Sequence, residues 1–313
     1  MYAKNINESI SPASVTKVMT ALVLMDYYDF DDLITVSLPE EYVYTGKVAY
    51  LSNGMKITVE DLLELLLIYS ANDAAYAAAM ATTGDVGVFI ETMNKKAKGI
   101  GMENTVFLNP DGLDQDGHKT TLGDLLLMSL EFIDNYKLIS LTSKKSFSSD
   151  FSGTQKNYFS TNQLIDNGYI GIKTGWTSQA GLTFVGLNVE NNRQILTIVN
   201  QSIVDDNKIN HFNDTQILYN MSLTNFGYYE NFSITQTIYT IKNHLQYDQY
   251  FSEEPWIDFL YLDEDISINF SGYSNNMLQF NSSISNREVK ISKNTYEVIW
   301  KFNLLEIFSI FAN

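Results

Sequence analysis

The hydrophobic period of this chain changes near residue 168, and that change constrains its fold more than any other feature. Over 13–28 the apolar residues Val15, Val18, Met19, Ala21, Leu22, Leu24 and Met25 fall at helical spacing. Ser11-Pro12 opens that helix, because a proline's missing N–H costs nothing in a first turn. Thr58-x-x-Asp61 reads as a capping box with Asp in place of Glu, and it opens an apolar helix through Ile68. Further helices are expected over 72–81, over 85–98 ahead of Gly99, and from Leu122 to about Tyr136 with Thr121 as cap. From Gly168 the period becomes two. Residues 169–174, 182–189 and 194–199 read as strands, with Asn191-Asn192 turning between the last two, and 206–221 as a closing helix. Beyond Thr224 short β-type runs (232–241, 256–262, 266–270, 288–291) alternate with Ser, Asn, Gly and Asp, the texture of a separate all-β module.

Three short motifs stand in order on this framework. In Ser14-x-x-Lys17 the two side chains share one helix face, so the lysine reaches the hydroxyl. Serine is a weak nucleophile at neutral pH and needs such a base, and burial among cations lowers a lysine pKa enough to supply one. Ser70-x-Asn72 lies between two helices and offers a hydroxyl to relay a proton and an amide to hold a substrate amide. Lys173-Thr174-Gly175 ends a strand. The first two offer a cation and a hydroxyl to a substrate carboxylate, and Gly175 permits close backbone approach. The backbone N–H of Trp176 would pair with that of Ser14 to hold an oxyanion. Each motif alone equally describes a capped helix or a strand end; the ordered trio is what carries chemistry.

Composition removes several alternatives. A formal charge of −17 argues against a nucleic-acid partner, which needs a basic patch. The absence of cysteine excludes a disulfide scaffold and a thiol nucleophile. His118, His211 and His244 are scattered without zinc spacing, so no metal and no cofactor is expected. There is no run of about 20 apolar residues of the kind a membrane-spanning helix needs.

The segment SPASVTKVMTAL (11–22) resembles the nucleophile helix of low-molecular-mass penicillin-binding proteins, the D-Ala-D-Ala carboxypeptidases of peptidase class S11. YSANDAA (69–75) is similar to their second motif and GIKTGWTSQAG (171–181) to their third. NPDGL (109–113), with His118, Thr120, Thr121 and Asp124, is similar to a structural stretch of the same family. The resemblance covers about residues 1–222. It implies a serine β-lactamase/DD-peptidase-like α/β (α+β) domain over 1–222, helices packed on an antiparallel sheet. A small all-β domain over 225–297 would follow. The last segment, 298–313, is similar in position to the family's amphipathic membrane anchor and reads equally well as a packed terminal helix.

The implied reaction is acylation and deacylation. Ser14 attacks the carbonyl between the terminal D-alanines of a peptidoglycan stem peptide while Lys17 takes its proton. Ser70 and Asn72 assist, Lys173 and Thr174 bind the terminal carboxylate, and water releases the acyl-enzyme. β-Lactams would acylate the same serine. The implied place is the extracytoplasmic face of a bacterial membrane. Two departures stand out. Family members carry a signal peptide and early strands, so residues 1–4 read as the end of a strand already under way. His211 stands where the family usually has a carboxylate-holding arginine; it is a candidate substrate contact only partly charged at pH 7, with Lys208 as a second cation. The competing readings are a class A β-lactamase, with Glu131 as its water-activating base, and an inactive cell-wall-binding module. Glu131 falls within an expected helix, which favours a solvated helix face over a catalytic role.

Overall fold

The computed structural model describes residues 3–297 apart from 152, 191–192, 233–236, 243–245, 253–255, 262–267, 275–276 and 283–285; side chains are described up to residue 224, except at these positions and at 190 and 193. The Asn191-Asn192 turn and the segment 298–313 therefore lie outside the described residues. Backbone contacts divide the chain into Ala3–Asn220 and a second unit that starts at Met221.

In the first unit Pro12 leads into a 3-10 turn, Ala13–Val15, that continues as α1 (Thr16–Leu24). Every residue of α1 is buried, as befits a helix enclosed on all sides, and its polar members are individually paired. Thr20, for example, donates to the carbonyl of Pro110 at 2.6 Å. β1 (Leu33–Thr35) pairs antiparallel with β2 (Lys56–Thr58). Thr58 caps α2 (Val59–Glu64) as its sequence predicts: its hydroxyl accepts from the Asp61 N–H at 3.1 Å and donates to the Asp61 carboxylate at 2.7 Å. α2 widens into one π turn, Leu65–Tyr69, and stops at Ser70, which is left-handed with φ 70°. π turns and non-glycine residues in that region concentrate at functional sites.

α3 (Asn72–Thr83) follows at once, and its alanines at 74, 75, 77, 78 and 79 are fully buried, so it packs closely between α1 and α4 (Val86–Gly99). α5 (Leu122–Ile133) is capped by Thr121 and ends three residues before the predicted Tyr136. Asn135 interrupts it by accepting from the N–H groups of Lys137 and Leu138, which starts a further helix, α6 (Tyr136–Thr142). A hairpin of β3 (Ser146–Ser149) and β4 (Lys156–Phe159), absent from the sequence expectations, comes next.

The strands β5 (Tyr169–Thr177), β6 (Gly181–Glu190) and β7 (Arg193–Ser202) form an antiparallel sheet in that order. Their alternation is two-sided. Ile172, Val185 and Leu187 join the main core with α1, α2 and α3, while Tyr169, Phe184 and Val199 pack with Phe212 on the other face. α7 (Asn210–Asn225) starts four residues later than predicted, after a turn in which Lys208 is left-handed (φ 51°) and its N–H bonds to the Asp205 carbonyl.

The second unit carries β8 (Phe226–Phe232), β9 (Thr237–Lys242), β10 (Gln246–Ser252), β11 (Trp256–Tyr261), β12 (Ile268–Ser274), β13 (Met277–Ser282) and β14 (Asn286–Glu297). Five of them form an antiparallel sheet in the order β12-β13-β14-β10-β9, and β11 pairs with β8. β14 joins the sheet's two halves by pairing with β13 through its first residues and with β10 through its last.

Candidate active site

Ser14 follows a strained residue in a turn with a very close neighbour. Ala13 before it is left-handed (φ 48°), which costs about 1–2 kcal/mol for a residue with a Cβ. Gly112, itself at φ +83°, packs directly on this turn: a Cβ there would fall 1.8 Å from the Ala13 carbonyl oxygen and 2.8 Å from the Thr16 hydroxyl. His118 fixes the next turn. Its Nδ1 accepts from the Leu108 N–H at 3.0 Å, so Nε2 carries the proton toward the Thr16 hydroxyl at 2.9 Å. Burial pushes the His118 pKa down to about 4, which keeps the ring in this neutral form. The stretch 109–118 thus packs against the turn that carries Ser14.

Lys17 is fully buried, and all three of its N–H groups are committed. They reach the Ser14 hydroxyl at 3.0 Å, Asn72 Oδ1 at 2.7 Å and the Asp111 carbonyl at 2.6 Å. Burial lowers its pKa to about 8; the carboxylates of Asp111 and Asp73 resist that shift and Lys47 adds to it. At pH 7 about a tenth of the molecules then carry a neutral amine, a few hundred times more than for a free lysine. In that form the bond reverses, and the serine donates to the amine.

The second and third motifs meet beside this pair. The ammonium of Lys173, also buried, donates to the Ser70 hydroxyl at 2.8 Å and to the Thr174 carbonyl at 3.0 Å. Burial, then Lys17 and Lys47, push its pKa far down. Asn72 ties the motif to residues 45–47: its Nδ2 donates to the Thr45 carbonyl at 2.8 Å and its N–H to the Lys47 carbonyl at 2.7 Å. The Thr174 hydroxyl donates to that of Thr161 at 2.6 Å. Gly175 lies against the Ser14 turn, and a Cβ on it would stand 3.1 Å from Ala13 Cβ and 3.2 Å from the Ser14 nitrogen. Ser14, Ser70, Thr174, Gly175 and Trp176 share one cleft of about 260 Å³ with Lys47, Lys208 and His211.

His211 differs from its expectation of partial charge. Its ring lies 3.9 Å from that of Phe212, Nδ1 is buried without a partner, and burial lowers its pKa to about 4 against the pull of Asp214 and Asp205. It therefore meets a ligand as a neutral imidazole. The cation at this end of the cleft is Lys208, whose ammonium rests 3.6 Å above the centre of the Trp176 ring. Glu131 lies exposed on α5 and is not among the residues lining the cleft.

Sequence reasoning missed Lys47, Thr161, Asp73 and the acceptor role of Asp111. Asp73 is fully buried and its two oxygens accept the N–H groups of Ala49 at 2.9 Å and Leu51 at 2.8 Å. It clasps the segment that carries Lys47 onto the start of α3. Asp73→Ala strands two buried amides and should lower stability by about 3 kcal/mol, read as a drop in the urea midpoint.

A family model described as D-alanyl-D-alanine carboxypeptidase, peptidase S11, matches residues 1–202. The chain belongs to this family. D-alanyl-D-alanine carboxypeptidase DacF of Bacillus subtilis is 34% identical over 212 residues, which are 64% of this chain and 53% of that protein, so the chain spans about half the length of this relative. Penicillin-binding protein D2 of Listeria monocytogenes, solved in a cefotaxime-bound form, is 27% identical with a TM-score of 0.61 over 70% of this chain and 90% of that one. The peptidoglycan synthesis regulatory factor PBP3 of Streptococcus pneumoniae has the same fold, with a TM-score of 0.76, 22% identity and 93% of each chain covered. The family match takes in the Ser14, Ser70 and Lys173 motifs and stops short of His211 and α7.

Proposed function

We propose that this chain is a serine D-Ala-D-Ala carboxypeptidase that removes the terminal D-alanine of peptidoglycan stem peptides through an acyl-enzyme on Ser14. The observation that carries the reading is the Lys17 amine, buried, 3.0 Å from the Ser14 hydroxyl and lowered to a pKa of about 8. Neutral Lys17 takes the Ser14 proton as the oxygen attacks the carbonyl carbon. The Ser14 and Trp176 N–H groups receive the developing oxyanion. Ser70, bonded to Lys173, relays the proton to the leaving amine, and Asn72 orients the acyl-side amide. Thr174, with Lys173 behind it, holds the terminal carboxylate, and Lys208 supplies the exposed positive charge that neutral His211 does not. Water then enters and Lys17 activates it for deacylation.

β-Lactams would follow the same first step, a proposal supported by the cefotaxime-bound Listeria relative. The substrate places the enzyme on the extracytoplasmic side of a cell envelope. Membrane contact through 298–313 stays an expectation, because that segment lies outside the described residues. Residues 225–297 we take as a separate β module. Intact-protein mass spectrometry after benzylpenicillin treatment should show one covalent adduct, absent from Ser14→Ala, and the wild type should release D-alanine from a pentapeptide. An adduct that survives Ser14→Ala would sink the assignment. Rapid penicillin turnover in place of a long-lived adduct would favour the β-lactamase reading.

A further inference from the structure

Lysines from three separate segments converge on residues 69–72. The ammonium of Lys47 rests 4.1 Å from the centre of the Tyr69 ring. That of Lys173 reaches the Ser70 hydroxyl at 2.8 Å, and that of Lys17 reaches Asn72 Oδ1 at 2.7 Å. Among the described residues no carboxylate pairs with Lys17, Lys47 or Lys173. Lys17 and Lys173 belong to the first and third motifs; Lys47 belongs to none of the motifs and performs no step of the reaction proposed above.

Lys47 is nevertheless held firmly in place. The Thr45 carbonyl accepts from Asn72 Nδ2 at 2.8 Å and the Lys47 carbonyl from the Asn72 N–H at 2.7 Å, while Asp73 takes the N–H groups of Ala49 and Leu51. Tyr69, on which the ammonium rests, is braced edge-on by Tyr158 with ring centres 4.9 Å apart. The backbone of 45–51 thus fixes where the Lys47 side chain enters the cleft wall, and the Tyr69 ring fixes where its charge lies. Partial burial lowers the pKa of Lys47 itself, whereas the ring face and the open cleft favour its charged form.

Like charges in one site disfavour each other's protonation. Burial is the largest influence on Lys17; Asp111, from the 109–113 stretch, and Asp73, from α3, counter it, and Lys47 is the charged neighbour that adds to it. Lys173, on β5, feels burial first, then Lys17 and Lys47. Lys208, engaged by Trp176, and neutral His211 line the same cleft. Tyr42, Tyr76 and Tyr158 are pushed upward by burial and stay uncharged at neutral pH.

We propose, on the carboxypeptidase reading, that Lys47 is a positioning residue for acylation: its charge, fixed on the Tyr69 ring, opposes protonation of Lys17 and so keeps a proton acceptor beside Ser14. Without that charge Lys17 and Lys173 both hold their protons to higher pH, and the working range of the site moves with them.

The direct test follows Lys17 itself. In protein labelled with 13C at lysine Cε, the Lys17 resonance, identified by its loss in Lys17→Met, should titrate about half a pH unit higher in Lys47→Met than in the wild type. Water on the cleft side screens Lys47 and keeps the shift at this size. Ser14 acylation by benzylpenicillin at pH 6.5, relative to each protein's own limiting rate in alkali, should be about threefold lower in Lys47→Met. Lys47→Arg retains the charge and should follow the wild type in both measurements, a rescue that a purely steric role would not produce. Lys47→Gln covers the case in which Lys47→Met does not fold. A Lys17 midpoint unmoved in the neutral variants would overturn the proposal. So would a midpoint moved equally by Lys47→Arg, or an acylation profile that stays in place while the midpoint moves. A shift of both midpoint and profile in a protein that releases no D-alanine from a pentapeptide would overturn the carboxypeptidase reading and leave the action of Lys47 on Lys17 standing.

Discussion

Replacing Lys17 with methionine should slow acylation of Ser14 by about a thousandfold. Methionine fills a similar volume without a charge, so the enclosed α1 keeps its packing, while the proton acceptor proposed for Ser14 is removed. The rate of penicillin adduct formation measures this, and a thermal melt verifies that the variant is folded. The pH dependence of the wild type gives a second, sharper reading. Only the neutral amine accepts the proton, so acylation should rise about tenfold per pH unit below the Lys17 pKa of about 8 and level off above it. Lys17→Met should lose that slope. In its proposed role Lys173 would act in the opposite sense, since it would support a carboxylate only while protonated. Its pKa is pushed down by burial and by its lysine neighbours, so KM for a peptide should rise as the medium becomes more alkaline. A wild-type profile flat between pH 6 and 8 would remove Lys17 from the role of base.

Gly112→Ala should be the most damaging substitution of a single small residue. The added methyl would fall 1.8 Å from the Ala13 carbonyl oxygen, and that oxygen belongs to the turn presenting Ser14. Either the 109–113 stretch or the nucleophile turn has to move. We expect a stability loss of about 3 kcal/mol or more, with acylation reduced even where the protein remains folded. Gly84→Ala is the control. Gly84 has a similar φ of +72° with nothing within 4 Å of its missing Cβ, so it carries only the backbone cost of about 1 kcal/mol. Equal melting temperatures for the two variants would show that the Gly112–Ala13 contact is not tight.

Several local signals in the sequence match the structure. Thr58 and Thr121 each cap the helix that follows them, and the period-two pattern over 169–199 became β5, β6 and β7. Ser14 and Lys17 were tied by i, i+3 spacing, and the structure places them 3.0 Å apart. Much of what the sequence hid depends on contacts between distant segments. Asp73 reads as one more acid in a first turn, and only the folded chain shows Ala49 and Leu51 bonded to it. The Asp111 carbonyl leaves no side-chain signature at all, since any residue supplies one. The β3–β4 hairpin buries just Phe147 and Ser149 from one strand and Tyr158 from the other, too little apolar alternation to mark a strand. The break between α5 and α6 rests on one side chain, Asn135, competing for the backbone. His211 lines the cleft, and its neighbours Phe184 and Phe212 help to remove it from water, which lowers its pKa.

The lysine resting on Trp176 has an optical consequence. Trp176 is 48% exposed at the mouth of the cleft, with an ammonium against one ring face. A carboxylate arriving there competes for that ammonium and draws it off the indole. The emission of Trp176 should therefore report occupancy without a label. With Trp256 and Trp300 replaced by phenylalanine, the remaining fluorescence would follow each peptide or β-lactam as it enters, on a stopped-flow timescale and before any bond is broken.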